Sequence, residues 1–388
     1  MPAFPPGVVI LQVTPALDAG GVEQTTLDMA EAIVRAGGRA LVASQGGRMD
    51  EELKARGGEL VPLPLDTKNP LSMALNARRL EALIRAEGVD LVHVRSRAPA
   101  FSAIPAARRA GVPVVSTYHG VYGGGSAPKR WYNKMMTRTD VVIANSAYTR
   151  EHVIAEHGID PARVVAIPRG VDLRRFDPDM VPAERVSARR AAWGIEAGET
   201  RPVLLLACRL TRWKGQALAI EAVAGLKDEG QEAILVLVGD DQGRAAYTAE
   251  LKALAEKLGL EDLVRFAGHD DDMPAAYLAA DLVLAPSIKP EAFGRTAVEP
   301  QVMGRPVLAA AHGAATETVL EGQTGWLVEP GSADAWSRAL VEAVTAAPAL
   351  WAEMGQAGRI RASALYSLDA MCKATLAVYA RLLQDRAR

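Results

Sequence analysis

The chain is expected to fold as an α/β protein of two doubly wound domains facing each other across a cleft. Three observations carry that expectation. Short, wholly apolar runs alternate with stretches of helical period along nearly all of the 388 residues. The alternation breaks once, over a polar, proline-bearing stretch at 173–182, and then begins again. A length of 388 residues is too great for one ordinary domain and suits two. Regular βα alternation marks parallel sheets, whose strands are covered on both faces and so read as continuous apolar runs. The expected domains are 1–175 and 183–370, with a C-terminal helix near 371–388 packing back on the first.

The first strand reads as 8–13, followed by Pro15, Asp18 and the pair Gly20-Gly21. The next helix has apolar residues at Val22, Leu27, Met29, Ala30, Ile33 and Val34 and stops at Gly37-Gly38. A strand, two glycines and a helix let backbone approach a phosphate at a helix N-terminus. The G-x-G-x-x-G spacing of a dinucleotide site is missing, however, and glycines in a βα turn are structural about as often as functional. Strands follow at 40–43, 60–63, 89–94 and 112–117, with a helix around 75–86. The last of these runs into Tyr118-His119-Gly120, Tyr122 and Gly123-Gly124-Gly125. A strand at 141–144 leads to Asn145-Ser146, a helix N-cap, and one at 164–167 ends at Pro168-Arg169-Gly170-Val171-Asp172. A histidine at a strand end beside glycines is placed to touch a ligand, although a lone histidine is often only a hydrogen-bonded structural residue.

The second half repeats the rhythm. A strand at 203–207 precedes the turn Cys208-Arg209-Leu210-Thr211-Arg212-Trp213-Lys214-Gly215 and a helix at 216–226. A strand at 233–238 ends at Gly239-Asp240-Asp241; a helix near 245–258 leads to a strand at 264–268 that includes Phe266. The run 281–286 hands over to Ser287-Ile288-Lys289-Pro290-Glu291-Ala292-Phe293-Gly294 and a helix carrying Glu299, before strands at 306–310 and 325–328. Glu291 and Glu299 therefore stand at the carboxyl edge of a parallel sheet, where ligands bind. A carboxylate only accepts hydrogen bonds, so two of them beside free helix N–H groups suit a ligand rich in hydroxyls around an anionic centre. A nucleotide sugar has that character. The plainer reading leaves Glu299 complementing the helix dipole and Glu291 solvated. Arg209 and Lys214, five positions apart in one βα turn, are spaced to converge on a diphosphate. Pro300 has no N–H, so its helix should start close to it or kink.

Composition excludes several classes. A net charge of -2 with no basic arm gives no case for nucleic acid. Cys208 and Cys372 form no metal-like pair and suit a reduced cytoplasm. The first residues lack the basic flank of a signal peptide, and no run approaches the roughly 20 apolar residues of a membrane span. Charge is uneven: residues 1–178 carry 22 Lys/Arg against 18 Asp/Glu, and residues 179–388 carry 22 against 28. The segment 101–139 holds six basic residues and no acidic one. Within 127–138, Lys129, Arg130, Trp131, Tyr132, Lys134 and Met135 interleave charge with apolar bulk, a pattern that suits either an anionic membrane surface or a solvated helix face with a buried Trp.

Arg209-Leu210-x-x-x-Lys214-Gly215 and Glu291-x-Phe293-Gly294-x-x-x-x-Glu299, with Gly20-Gly21 upstream, resemble the retaining family-4 glycosyltransferases of the GT-B architecture, which pairs two Rossmann-like domains. Pro168-x-Gly170-Val171-Asp172, the stretch 313–317 and Gly322-x-Thr324-Gly325 match in the same order, so the resemblance spans nearly the whole chain. The paired-glutamate stretch is its specific part. The resemblance implies transfer of a hexosyl unit from a UDP- or GDP-sugar to a glycan or lipid-linked acceptor, in cell-surface polysaccharide or lipopolysaccharide synthesis. Arg209 and Lys214 would hold the donor diphosphate, Glu299 the ribose hydroxyls, and Glu291 would face the transferred sugar. Amides after Phe293 and Gly294 would add donors, and the main chain of 264–268, Phe266 included, would read the base. His119 would lie over the sugar, while Gly20 and Gly21 would border diphosphate and acceptor. Catalysis would fall to Arg209, Lys214, Glu291 and His119, with no metal or other cofactor. The chain departs from the family pattern at Cys208 (usually Gly), Arg169 (commonly Asn) and Gly239-Asp240-Asp241 (usually glycine-rich). The place of action would be the cytoplasm, peripheral on the inner face of its membrane. An epimerase or phosphorylase on the same architecture, or a catalytically silent sugar-nucleotide-binding protein, stays open.

Overall fold

The computed structural model describes residues 4–18, 20–123 and 125–387. Residues 1–3, part of the start read as lacking a leader, and Gly124 of the triple-glycine run lie outside the described residues. The chain divides into two compact units, Met1–Gly170 with Leu368–Arg388, and Val171–Ser367.

The first unit is built on seven parallel strands: β1 (Val9–Val13), β2 (Arg39–Ser44), β3 (Glu59–Pro62), β4 (Leu91–Val94), β5 (Val114–Tyr118), β6 (Val141–Ala144) and β7 (Val164–Ala166), in the order β3-β2-β1-β4-β5-β6-β7. β1, β4, β5 and β6 are buried along their whole length, and the first, second and fourth of these are Val/Ile/Leu-rich. The chain winds outward from β1 in one direction and from β4 in the other. The reversal opens a crevice at their carboxyl ends, because the flanking connections diverge there. The C-terminal helix, Leu368–Ala387, closes one face of this unit, with Met371, Leu376 and Tyr379 buried in one core with Ile10, Leu27 and Ile33.

The second unit repeats the plan with six parallel strands: β8 (Val203–Ala207), β9 (Ile234–Val238), β10 (Val264–Gly268), β11 (Leu282–Ala285), β12 (Val307–Ala310) and β13 (Gly325–Val328), in the order β10-β9-β8-β11-β12-β13. Its reversal falls between β8 and β11. The Cys208–Gly215 turn and the Glu291 loop are the segments that leave those two strands.

Three sequence expectations need correction. The stretch 173–182 is not a linker between units but belongs to the second one. Phe176 is buried there with its ring centroid 6.3 Å from that of Tyr277, an apolar anchor that a polar, proline-bearing composition conceals. The sequence gives no expected helix over 97–110, where Pro99 and Pro105 interrupt the pattern; the structure forms helix Arg97–Ala110 and closes it on Gly111, left-handed at φ 70°. Helix Arg295–Val302 begins five residues before Pro300, so the proline lies inside it and leaves the Thr296 carbonyl without its helical donor.

Gly215 controls the approach of the two site segments. Its φ is +80°, and an added Cβ would lie 2.0 Å from the Pro286 carbonyl oxygen. Gly268 is also left-handed, at φ +71°, but faces open space. Gly268→Ala should therefore cost only backbone strain, about 1 kcal/mol, while Gly215→Ala should cost roughly 2 kcal/mol more, read from urea unfolding midpoints.

Candidate functional site

In the second unit the β8 turn presents its basic residues in different states. Lys214 ends the one-turn helix Arg212–Lys214; its ammonium lies 4.5 Å from the Trp213 ring centroid and pairs with Glu291 Oε1. Ser287 Oγ donates to the same oxygen at 2.6 Å. The two side chains are only 11% and 17% exposed, so the pair sits largely out of water. Arg209 is exposed, its Nη1 3.5 Å from Gln242 Oε1. The cation expected on a diphosphate and the carboxylate expected on a sugar thus neutralise each other in the free protein.

The Glu291 loop is braced from both sides. The Ile288 amide donates to the Trp213 carbonyl at 2.7 Å, and the Ala314 amide donates to the Glu291 carbonyl at 3.0 Å. His312 Nε2 lies 2.7 Å from the Ser287 carbonyl oxygen and lines a small pocket with Glu291, Gly294 and Thr296. Phe293 points into the core and meets Tyr366 edge-on at 5.7 Å, which makes it an anchor rather than a ligand surface. Gly294, at φ 77°, is the N-cap of the following helix and contributes no side-chain hydrogen bond to it.

Glu299 is buried and already held. Arg295 Nε donates to its Oε1 at 2.7 Å and the Tyr277 hydroxyl to its Oε2 at 2.9 Å. Burial keeps the Tyr277 phenol protonated, its titration pushed far above the ordinary range. A carboxylate oxygen accepts about two hydrogen bonds, so Oε2 keeps one acceptor position. Phe266 lies on β10, the edge strand, whose main chain pairs with β9 on one side only.

Gln216 was missed by sequence reasoning. It is fully buried, and its Nε2 donates to the Arg209 carbonyl at 3.0 Å and approaches Cys208 Sγ at 3.2 Å, while the Tyr247 hydroxyl donates to its Oε1. A polar residue opening a helix after Gly215 was the available signal. Cys208 fills the position where glycine was expected; burial pushes its thiol up to about 12, so it stays protonated.

The first unit gathers a second group. His119 follows β5 and Arg169 follows β7, and Arg169 Nη2 lies 3.1 Å from His119 Nδ1. Arg169 Nη1 is 2.2 Å from where a Cβ on Gly21 would stand, so Gly21 is the residue that leaves room for the guanidinium. His119 Nε2 is buried without a partner, as is Arg95 Nη2. Both ring nitrogens are buried, Nδ1 against Arg169 and Nε2 with no hydrogen-bond partner. Burial, then the Arg169 and Arg95 charges, hold the ring neutral. Gly20, at φ 145°, is the N-cap of helix Gly21–Arg35. Behind His119, the buried His93 spans Tyr379 OH at 2.5 Å and Thr117 Oγ1 at 2.7 Å. Among the described residues no cluster of three or more metal-ligating side chains occurs.

Two Rossmann-like units, each gathering polar residues at or beside a strand-order reversal, define the structural class. Residues 19–175 match the profile of Glycosyltransferase Family 4, and residues 189–361 match Glycosyl transferases group 1. A D-inositol 3-phosphate glycosyltransferase of Xylanimonas cellulosilytica is 30% identical over 95% of this chain and 93% of its own length. Another of that name, from Kineococcus radiotolerans, is 35% identical over a match covering 66% of this chain and 60% of the relative. A glycosyltransferase structure from Rickettsia africae aligns with TM-score 0.88 and 31% identity over 97% of this chain and 98% of its own. The Anabaena protein HepE, solved with UDP and glucose, aligns with TM-score 0.81 and 25% identity over 96% and 100%. The chain belongs to the family-4 glycosyltransferases of the GT-B architecture. It is a glycosyltransferase enzyme.

His93 and His119 are both held neutral by burial, below the ordinary 6.5. Below pH 6.5 the unfolded chain therefore binds more protons than the folded one, and stability falls as pH falls. Each ring contributes about 1.4 kcal/mol per pH unit in that range. Urea midpoints should drop between pH 7 and 5.5, and His93→Gln should flatten the slope.

Proposed function

We propose that the chain transfers a hexosyl unit from a nucleotide-diphosphate sugar to an acceptor hydroxyl with retention of anomeric configuration. The observation that carries this reading is the Lys214–Glu291 pair at the β8–β11 reversal, beside the exposed Arg209 and a helix start with no capping side chain. Cations suit a diphosphate and carboxylates suit hydroxyls, and this is the sheet edge at which such ligands bind. The similar Anabaena structures with UDP, glucose and UDP-glucose support a donor of that class.

The donor's glycosidic bond breaks with oxocarbenium character, so the barrier depends on negative charge gathering on the leaving diphosphate. Arg209 and Lys214 stabilise that charge as it gathers. When the diphosphate draws the Lys214 ammonium, Glu291 is released to accept from a sugar hydroxyl, and the remaining acceptor site on Glu299 takes a ribose hydroxyl. No side chain is assigned as a nucleophile; the acceptor attacks from the face the diphosphate leaves, and the departing phosphate takes its proton. Two basic side chains and a helix N-terminus serve where other enzymes use a divalent cation.

A panel of nucleotide diphosphates in a thermal-shift assay tests the donor class and separates UDP from GDP, because bound nucleotide raises Tm by mass action. Lys214→Ala should lower kcat by roughly 10²–10³-fold, about 3–4 kcal/mol of transition-state stabilisation, with activity in wild type unchanged by EDTA. Conversion of donor without acceptor would favour an epimerase, dependence on inorganic phosphate a phosphorylase, and binding without turnover a silent sensor. The acceptor is a hydroxyl on a glycan or lipid-linked glycan of the cell surface. The curated relatives' name adds a phosphorylated cyclitol to the acceptors to be assayed.

The proposed site of action is the inner face of the cytoplasmic membrane, reached through 127–138. Among the described residues no helix is long and apolar enough to cross a membrane. In helix Ala127–Lys134, Trp131 is 60% exposed while leaning on Phe101, and Lys129, Arg130 and Lys134 are exposed. An exposed Trp among cations suits an anionic lipid surface. The protein should float with vesicles containing anionic lipid at low salt, and Trp131→Ala with Lys129→Glu should abolish it. Failure of wild type to float ends this part of the reading.

A further inference from the structure

We propose that Ser287 and His312 are positioning residues that keep the Glu291 carboxylate aimed at the transferred sugar once Lys214 has turned to the diphosphate. The proposal rests on the donor reading above and supplies what that reading requires when the Lys214–Glu291 pair opens. In the free protein Glu291 Oε1 takes two donors, the Lys214 ammonium and the Ser287 hydroxyl, the latter at 2.6 Å. A ligand that draws the ammonium away removes the first. A glutamate side chain has rotamer freedom to regain, so without a second restraint it would turn away.

Ser287 is that restraint. It is 3% exposed, and an O–H donated to a carboxylate at 2.6 Å is a short, charge-assisted bond. The hydroxyl belongs to the same loop as Glu291 and does not leave with the ammonium. Glu291 Oε2 has no hydrogen-bond partner among the described residues. The carboxylate is therefore divided: Oε1 stays anchored to Ser287, and Oε2 is the oxygen left to accept from a sugar hydroxyl. Glu291 and His312 line one small pocket with Gly294 and Thr296, so the free oxygen and the end of β12 belong to the same site.

Ser287 is held in turn from beyond β12. Its carbonyl oxygen lies 2.7 Å from His312 Nε2; a carbonyl only accepts, so Nε2 carries a proton and donates. The next residue, Gly313, is left-handed at φ +60°, and an added Cβ would lie 2.7 Å from the Glu291 carbonyl oxygen and 2.8 Å from its nitrogen. The Ala314 amide then donates to the Glu291 carbonyl at 3.0 Å. Three consecutive residues thus grip 287–291 at both ends, His312 at Ser287 and the other two at Glu291. None of these contacts involves Lys214, so they survive its departure. Had Ser287 served only to brace the ion pair, its hydroxyl would matter only while Lys214 was present, and that difference can be measured.

The full chain is assayed with UDP-glucose and GDP-mannose as probe donors, turnover being followed as release of the nucleoside diphosphate. Ser287→Ala should lower kcat/KM roughly 10- to 100-fold, the loss of one hydrogen bond to a charged group, while the Kd of the nucleoside diphosphate alone moves by less than about twofold. Equal losses in both would mark a collapsed loop and overturn the proposal. The loss should persist when Ser287→Ala is made in Lys214→Ala; its disappearance there would reduce Ser287 to a brace for the ion pair. His312→Leu should cost roughly fivefold, and the double variant with Ser287→Ala should stay within about threefold of Ser287→Ala alone. His312→Gln, which sets an amide N–H near the place of Nε2, should restore most of that loss. Multiplying losses, or no recovery with glutamine, would overturn the part given to His312. Circular dichroism and Tm certify each fold. Long-range ¹H–¹⁵N spectra of histidine-labelled wild type decide the His312 contact without turnover: a proton on Nε2 supports it, and a ring whose single proton is on Nδ1 overturns it. A wild type that releases nucleotide from neither probe ends the donor reading and this role with it, whereas wild-type turnover undiminished in Ser287→Ala ends this role alone.

Discussion

An ion pair taken largely out of water, Lys214 against Glu291, is the constraint on which the second unit's site depends. Burying two charges costs several kcal/mol per ion, and good geometry with further hydrogen bonds must offset it. Ser287 supplies one of those bonds, and the backbone on either side supplies the geometry. The pair needs the β8 turn and the β11 loop at close quarters, which only a left-handed Gly215 against Pro286 permits. The strand-order reversal brings these two loops together in the first place. A ligand that takes over Lys214 must therefore also satisfy Glu291. Such coupling favours a molecule that carries phosphate and hydroxyl groups at once over either group alone.

The first unit solves the electrostatics differently. Its crevice holds Arg95 with no ion-pair partner among the described residues, and it keeps His93 and His119 neutral rather than letting them add charge. The desolvation that penalises an imidazolium is the same force that makes an anion welcome beside a guanidinium. The second unit pairs Lys214 with Glu291, while in the first unit Arg95 keeps a buried nitrogen with no hydrogen-bond partner.

Much of the fold was legible because parallel strands covered on both faces must be continuous apolar runs, and β8 or β11 can be read directly. Arg209, Lys214, Glu291 and Gly294 were legible because each occupies a local strand-to-helix turn, where residue type and spacing carry the chemistry. Helix Arg97–Ala110 was hidden by its prolines, and 173–182 by a polar composition around one buried aromatic, Phe176. Gln216 and Tyr277 were illegible as site residues because their roles consist of hydrogen bonds to Arg209 and Glu299, set by packing rather than by neighbours in sequence.

The sequence by itself determined two βα-repeating units and the residues at their turn positions, since periodicity and turn chemistry are local properties. Only the tertiary structure decided the state of those residues. Lys214 and Glu291 are 77 positions apart, Arg169 and His119 are 50 apart, and Tyr379 and His93 are 286 apart. Whether a charge is paired, aimed or suppressed depends on what shares its low-dielectric surroundings, and that is settled by how strands order and helices pack across such separations.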